Sequence, residues 1–147
     1  QDFINTVDKQ LSKLPEGSYE IVGMLWVQGE SDSGQKHGPL PSEKYSENLT
    51  ELIKKVRDYY NVNDMPFLML GVGSEMIINS MEEVSDKLVN VELIRRSLDT
   101  KSNNYTPRYN HMWNGKPANH YNYVGMKTIG KMFFKRYQKL YSSFLNN

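Results

Sequence analysis

The sequence predicts an α/β domain in which helices cover a parallel sheet, and three observations carry that expectation. Two short, almost continuous apolar runs, Ile21–Val27 and Pro66–Val72, have the pattern of strands buried on both faces. Segments with apolar residues at helical spacing precede, separate and follow these runs. Strands that alternate with helices imply right-handed crossovers, and hence strands lying parallel in one sheet. The 147 residues contain no repeat, low-complexity tract or linker, so residues 1–147 read as one domain.

Phe3, Ile4, Val7, Leu11 and Leu14 recur at helical spacing, and Pro15-Glu16-Gly17-Ser18 ends that helix in a turn. The first strand, within Ile21–Val27, runs into the polar cluster Gln28-Gly29-Glu30-Ser31-Asp32-Ser33-Gly34. After a loop with Gly38, Pro39 and Pro41, a helix starting near Ser42 carries Tyr45, Leu49, Leu52, Ile53, Val56 and Tyr60 on one face. The second strand follows. Val84, Leu88, Val91, Ile94 and Leu98 suggest a third helix, and Val124, Ile129, Phe133, Tyr137, Leu140 and Phe144 a fourth. Between them lies a polar stretch from Asp99 to Asn119. Two strands leave the helices little to cover. A third strand is therefore expected within Tyr105–Trp113, or from sheet supplied by residues upstream of Gln1, whose place at the start instead of methionine suggests that something has been removed.

Composition excludes several function classes. Eighteen basic against 17 acidic side chains give a net charge of +1, which supplies no overall electrostatic footprint for nucleic acid or an anionic membrane. No window approaches the ~20 consecutive apolar residues of a membrane span. Without cysteine there is no disulfide, thiolate nucleophile or cysteine zinc site. His37 and His111 read as surface histidines, and with no His pair at i, i+4 neither a metal nor an organic cofactor is expected. The compartment stays open, a secreted or organellar one being the expectation.

In open parallel sheets ligands collect beyond the carboxyl ends of the strands, where the cluster after Val27 lies. Gln28 offers an amide donor, Gly29 allows close backbone approach, and Glu30 and Asp32 place two carboxylates in one tight turn. On composition alone those carboxylates fix the turn by bonding backbone amides.

Trp26-Val27-Gln28-Gly29-Glu30-Ser31-Asp32 resembles the tryptophan-x-glutamine-glycine-glutamate-x-aspartate block of the sialate O-acetylesterase and acetylxylan-esterase branch of the SGNH hydrolases. His120-Tyr121, followed by Gly125, Gly130 and an amphipathic helix, is similar to that family's final block, which carries the catalytic histidine. Leu52–Arg57 and Glu92–Arg96, each read as helical, fall in matching order between the two. The resemblance implies a flavodoxin-like three-layer α/β/α fold lacking its first strand, this chain being the C-terminal portion. It also implies hydrolysis of acetyl esters on carbohydrate by a serine nucleophile with a histidine base and no cofactor. By position it makes His120 the general base, puts Gln28 and Gly29 on the oxyanion side, and makes Glu30 and Asp32 the loop scaffold or an acid.

Two departures stand beside the match. The family's glycine-x-serine block has no counterpart, since Ser74 in Gly71-Val72-Gly73-Ser74-Glu75 follows the second strand, in reversed order, and reads as a loop or cap residue, as do Ser31 and Ser33. Pro117 stands where the family has the aspartate that orients the histidine, leaving a backbone carbonyl, Glu30 or Asp99 for that task. Two readings follow. In one, the chain is the histidine-bearing part of a carbohydrate O-acetylesterase whose serine lies outside it. In the other, it is a catalytically inactive binding module or a structural subunit of a larger assembly. On either, the chain exposes an apolar strand edge, is completed by an upstream segment or partner chain, and is not a stable monomer alone.

Overall fold

Phe67, Leu68, Met69 and Leu70 are all fully buried, and they form the central strand of the computed structural model, which describes residues 2–33, 40–108, 112–113, 116–117 and 120–145. A strand covered on both faces and flanked on both edges has no solvent-facing position, which is why this segment is continuously apolar. Around it the elements run α1 (Asp2–Leu11), β1 (Met24–Trp26), α2 (Leu40–Glu43), α3 (Tyr45–Tyr60), β2 (Phe67–Leu70), α4 (Glu75–Lys87), β3 (Val91–Ile94), β4 (Met112–Trp113), β5 (Lys116–Pro117) and α5 (Tyr123–Leu145). The main sheet is parallel in the order β1-β2-β3, with Met24 opposite Phe67 and Phe67 opposite Val91. This is a truncated α/β, flavodoxin-like architecture.

Side chains alternate across a strand, and β1 shows which helix lies on which face. Trp26 donates its indole N–H to the Tyr45 hydroxyl on α3, whereas Leu25 lines a groove with Phe133, Phe134 and Tyr137 of α5. Helices α3 and α4 therefore cover one face and α5 the other. From α3 come Leu49, Ile53 and Val56, from α4 Ile77, Met81 and Val84, and from α5 Ile129, Met132 and Phe133. The Arg57 guanidinium, buried at the end of α3, donates from Nε and Nη2 to the Met65 carbonyl and from Nη2 to the Val89 carbonyl. It thereby ties the helix to the chain entering β2 and β3, and burial lowers its pKa while the charge of Asp64 opposes that shift. Helix α1 is anchored by Asp8, whose carboxylate accepts from the Tyr59 and Tyr60 hydroxyls at 2.6 and 2.9 Å.

The structure corrects the expected third helix. Val84 belongs to α4, which begins nine residues earlier at Glu75, while Val91 and Ile94 belong to β3. Asn90, with φ of 56°, breaks the chain between them in a left-handed turn. The third strand of the main sheet is thus β3; the described residues of Tyr105–Trp113 contribute instead two isolated bridges, Tyr105 to Ser97 and Arg108 to Tyr121, and the two residues of β4. Glu92–Arg96 likewise lies on β3 and just beyond it, not on a helix. The first strand is shorter than its apolar run, because only Met24–Trp26 pair with β2.

Among the described residues, β1 pairs with β2 alone, so its outer edge is open. Leu25 is 57% exposed there and Phe134 of α5 is 61% exposed. Together with Val22, Gly130 and Tyr137 they line an apolar groove of about 360 Å³.

Candidate active site

The carboxyl ends of β1 and β2 are joined by contacts that fix one turn. Gly29 is buried with φ of +137°, and a Cβ on it would lie 2.8 Å from Ile77 Cγ2 and 3.0 Å from the Tyr45 hydroxyl. Only glycine fits that backbone and that space. Tyr45 donates its hydroxyl to the Gln28 carbonyl at 2.8 Å while accepting from Trp26 Nε1 at 3.2 Å. Burial pushes the Tyr45 phenol pKa up, the Trp26 hydrogen bond pulls it down, and the charges of Asp32 and Glu30 push it up again. The phenol is accordingly a neutral donor at ordinary pH.

Ser33 closes the turn. Its hydroxyl donates to the Gly29 carbonyl at 2.9 Å and accepts the Ser74 backbone N–H at 2.7 Å, linking the loop after β1 to the first turn of α4. Gly73, with φ of +85°, passes so close that a Cβ would meet the Ser33 hydroxyl and the Gly29 carbonyl. Ser33 is the loop residue that sequence reasoning expected, though its partners were not foreseen, and Gly73 and Tyr45 are the site residues that it missed. Their signal was the second glycine-serine pair after the second strand, since two parallel strands bring their carboxyl-end loops together.

Gln28 is exposed, and its side-chain oxygen accepts the Gly29 N–H at 2.9 Å. The Gly29 N–H is thus engaged, whereas the Gln28 Nε2 amide remains available as a donor among the described residues. Glu30 is exposed and Asp32 half-buried, and both act on the site through charge at Tyr45. The hydrogen bonds that close the turn come from Gln28 and Ser33. Ser74 occupies the N-cap position of α4 without a side-chain cap bond.

His120 is exposed and sits just before α5. Its place follows from the chain: Ser97 bridges Tyr105 beyond the carboxyl end of β3, and Arg108 bridges Tyr121. At its other end α5 reaches the entry of β1, where the Tyr137 hydroxyl donates to the Val22 carbonyl at 3.2 Å. Helix α5 therefore runs antiparallel to the strands, and its start lies at the same end of the sheet as the Gln28–Ser33 turn. Asn122 fixes that start: its side-chain oxygen accepts the Gly125 N–H at 2.9 Å, and its own N–H donates to the Pro107 carbonyl at 3.1 Å. Pro117 lies in the β4–β5 hairpin, and the Asp99 carboxylate accepts the Lys101 N–H at 2.9 Å. His37 and His111 lie outside the described residues. Among the described residues no group of three or more His, Asp or Glu side chains could hold a metal ion, and no helix is long and apolar enough to cross a membrane.

A parallel sheet covered by helices, with a glycine-centred turn at its carboxyl end and the last helix starting at that same end, defines an α/β domain of flavodoxin-like architecture. Residues 1–139 match the family described as carbohydrate esterase, sialic acid-specific acetylesterase, and the chain belongs to that family. The chain is similar to a solved Arabidopsis thaliana protein, with 22% identity and a TM-score of 0.67 over 92% of this chain and 52% of that one. It thus spans about half the length of that protein, and the likeness supports the fold. No curated protein sequence matches the chain at a significant level.

Proposed function

We propose that this acetylesterase-like domain is the histidine-bearing part of an enzyme that hydrolyses acetyl esters on carbohydrate. The observation that carries the proposal is the family match over residues 1–139, taken with a rigid Gln28–Gly29 turn at the carboxyl end of the sheet. His120 is the general base, and Gln28 Nε2 is the donor aimed at the developing oxyanion. The nucleophile is a serine on a segment outside this chain. Ser33 is unsuited to that role, because its hydroxyl is committed to Gly29 and Ser74. The open edge of β1 and its apolar groove offer the incoming segment a parallel strand position, whose carboxyl end would lie beside Gln28.

In the mechanism, the imidazole of His120 takes the serine proton as the oxygen attacks the acetyl carbonyl. As the bond between the acyl carbon and the sugar oxygen breaks, the imidazolium gives that proton to the departing oxygen, which leaves as a hydroxyl, and water repeats the sequence on the acetyl-enzyme to release acetate. The test is hydrolysis of p-nitrophenyl acetate by the natural protein and its His120→Ala variant. Loss of about 10²–10⁴ in rate is expected for removal of a general base. A variant as active as its parent overturns the assignment.

A further inference from the structure

Two cavities meet at Arg95 on the far side of the sheet from the open edge. The smaller, about 260 Å³, lies between Gly71 and Gly73 beyond β2, Glu75 and Ile78 of α4, and Arg95 and Arg96 beyond β3. The larger, about 790 Å³, continues from Arg95 along α5 past Lys131, Lys135, Arg136 and Lys139. Gly73 packs against Gly29, so this path begins at the flank of the Gln28–Ser33 turn and leads away from it. Six basic side chains and one acidic side chain, Glu75, line the two cavities in a protein whose net charge is only +1.

Ion pairs neutralise part of this charge. Arg95 is held by Glu75 and Glu82, and Arg136 by Glu92 at 2.8 Å. Arg96 donates Nε to the Gly71 carbonyl at 3.1 Å, which fixes the guanidinium at the rim of the smaller cavity. Lys131, Lys135 and Lys139 are exposed and have no carboxylate partner among the described residues. Their spacing of four residues puts them in one stripe on α5. Like charges lined up in this way repel one another and lower helix stability slightly, a cost that an anionic ligand would relieve.

We propose that this path is a binding groove for an acidic polysaccharide, a chain of sugars bearing carboxylates, lying across the end of the sheet from the esterase turn. The inference rests on the carbohydrate-esterase reading for its ligand class. Arg96 takes the carboxylate nearest the turn, and the lysine stripe takes carboxylates further along. The side chains of Asn103 and Asn104, which also line the larger cavity, offer amide donors and acceptors to sugar hydroxyls. A nucleic acid fits less well, because no aromatic ring lines either cavity to stack with a base.

The test is isothermal titration of the natural protein with polygalacturonate, neutral dextran and single-stranded DNA. It is repeated on the Lys131→Gln/Lys135→Gln/Lys139→Gln variant and on the same three positions changed to arginine. Polygalacturonate is expected to bind, more weakly as salt is added, with the glutamine variant weakened about tenfold or more and the arginine variant close to its parent. Equal binding of dextran, DNA binding as tight as polygalacturonate, or an unaffected glutamine variant overturns the proposal. Circular dichroism checks that the variants, changed only at exposed helix positions, keep the fold, as is expected of them. Hydrolysis of p-nitrophenyl acetate is read separately, so failure of the groove and failure of the esterase reading are told apart.

Discussion

Replacing Gly29 with alanine tests whether the turn after β1 is as rigid as its contacts imply. The added methyl would stand 2.8 Å from Ile77 Cγ2, 3.0 Å from the Tyr45 hydroxyl and 3.3 Å from Met81 Cε. Met81 can give at its flexible end. Ile77 is fully buried, and moving Tyr45 breaks its bond to the Gln28 carbonyl. A φ of +137° adds backbone strain for any residue with a Cβ. Strain of this kind costs roughly 1–3 kcal/mol and overpacking a similar amount, so the expected loss is about 2–5 kcal/mol. In a domain of this size each kcal/mol lowers Tm by roughly 2–4 °C, which places the variant about 5–20 °C below its parent. Urea unfolding followed by tryptophan fluorescence and circular dichroism reads the change, with an unaltered urea dependence showing that only stability has moved. Gly130→Ala is the control. Nothing lies within 4 Å of its Cβ and it sits inside α5, so alanine is expected to stabilise by about 0.5–1 kcal/mol. A Gly29→Ala loss below ~0.5 kcal/mol, within the range of an ordinary surface change, refutes the reasoning.

Two further outcomes probe the edges of the domain. The Tyr60 pKa is pushed up to about 12, by burial first and then by the hydrogen bond and charge of Asp8. An unfolded tyrosine ionises near pH 10, so the unfolded chain loses its proton first, and stability present below pH 10 declines as pH rises toward 12. Asp8→Asn lowers the Tyr60 pKa and narrows that window, as read by phenolate absorbance; an unchanged titration contradicts the Asp8 contact. At the open edge of β1, the chain alone is expected to self-associate with concentration in sedimentation velocity, and Leu25→Lys with Phe134→Lys to suppress it. A parent chain that stays monomeric throughout shows that the edge needs no partner.

Most of the helices were legible because each buries one stripe, and a stripe has a period that survives in sequence. Leu49, Ile53 and Val56 of α3 and Ile129 and Phe133 of α5 were read correctly for that reason. The strand β3 was not. Val84, Leu88, Val91, Ile94 and Leu98 keep helical spacing across a helix, a turn and a strand, and a buried run of four residues carries no period that separates strand from helix. In the site, the glycine-centred turn and the histidine before the last helix were visible as residue types. The roles of Ser33 and Tyr45 were not, because each depends on partners 41 and 17 residues away in the chain.

The sequence by itself therefore determined the fold class, the central strand Phe67–Leu70 and the family, because burial on both faces demands continuous apolar residues and a site demands particular chemical groups. Tertiary structure alone decided three things: which short run is the third strand, how Ser33 clamps the two carboxyl-end loops, and where Lys131, Lys135 and Lys139 line one cavity with Arg95. Pairing, clamping and charge clustering are relations between distant residues, and only the folded chain brings those residues together.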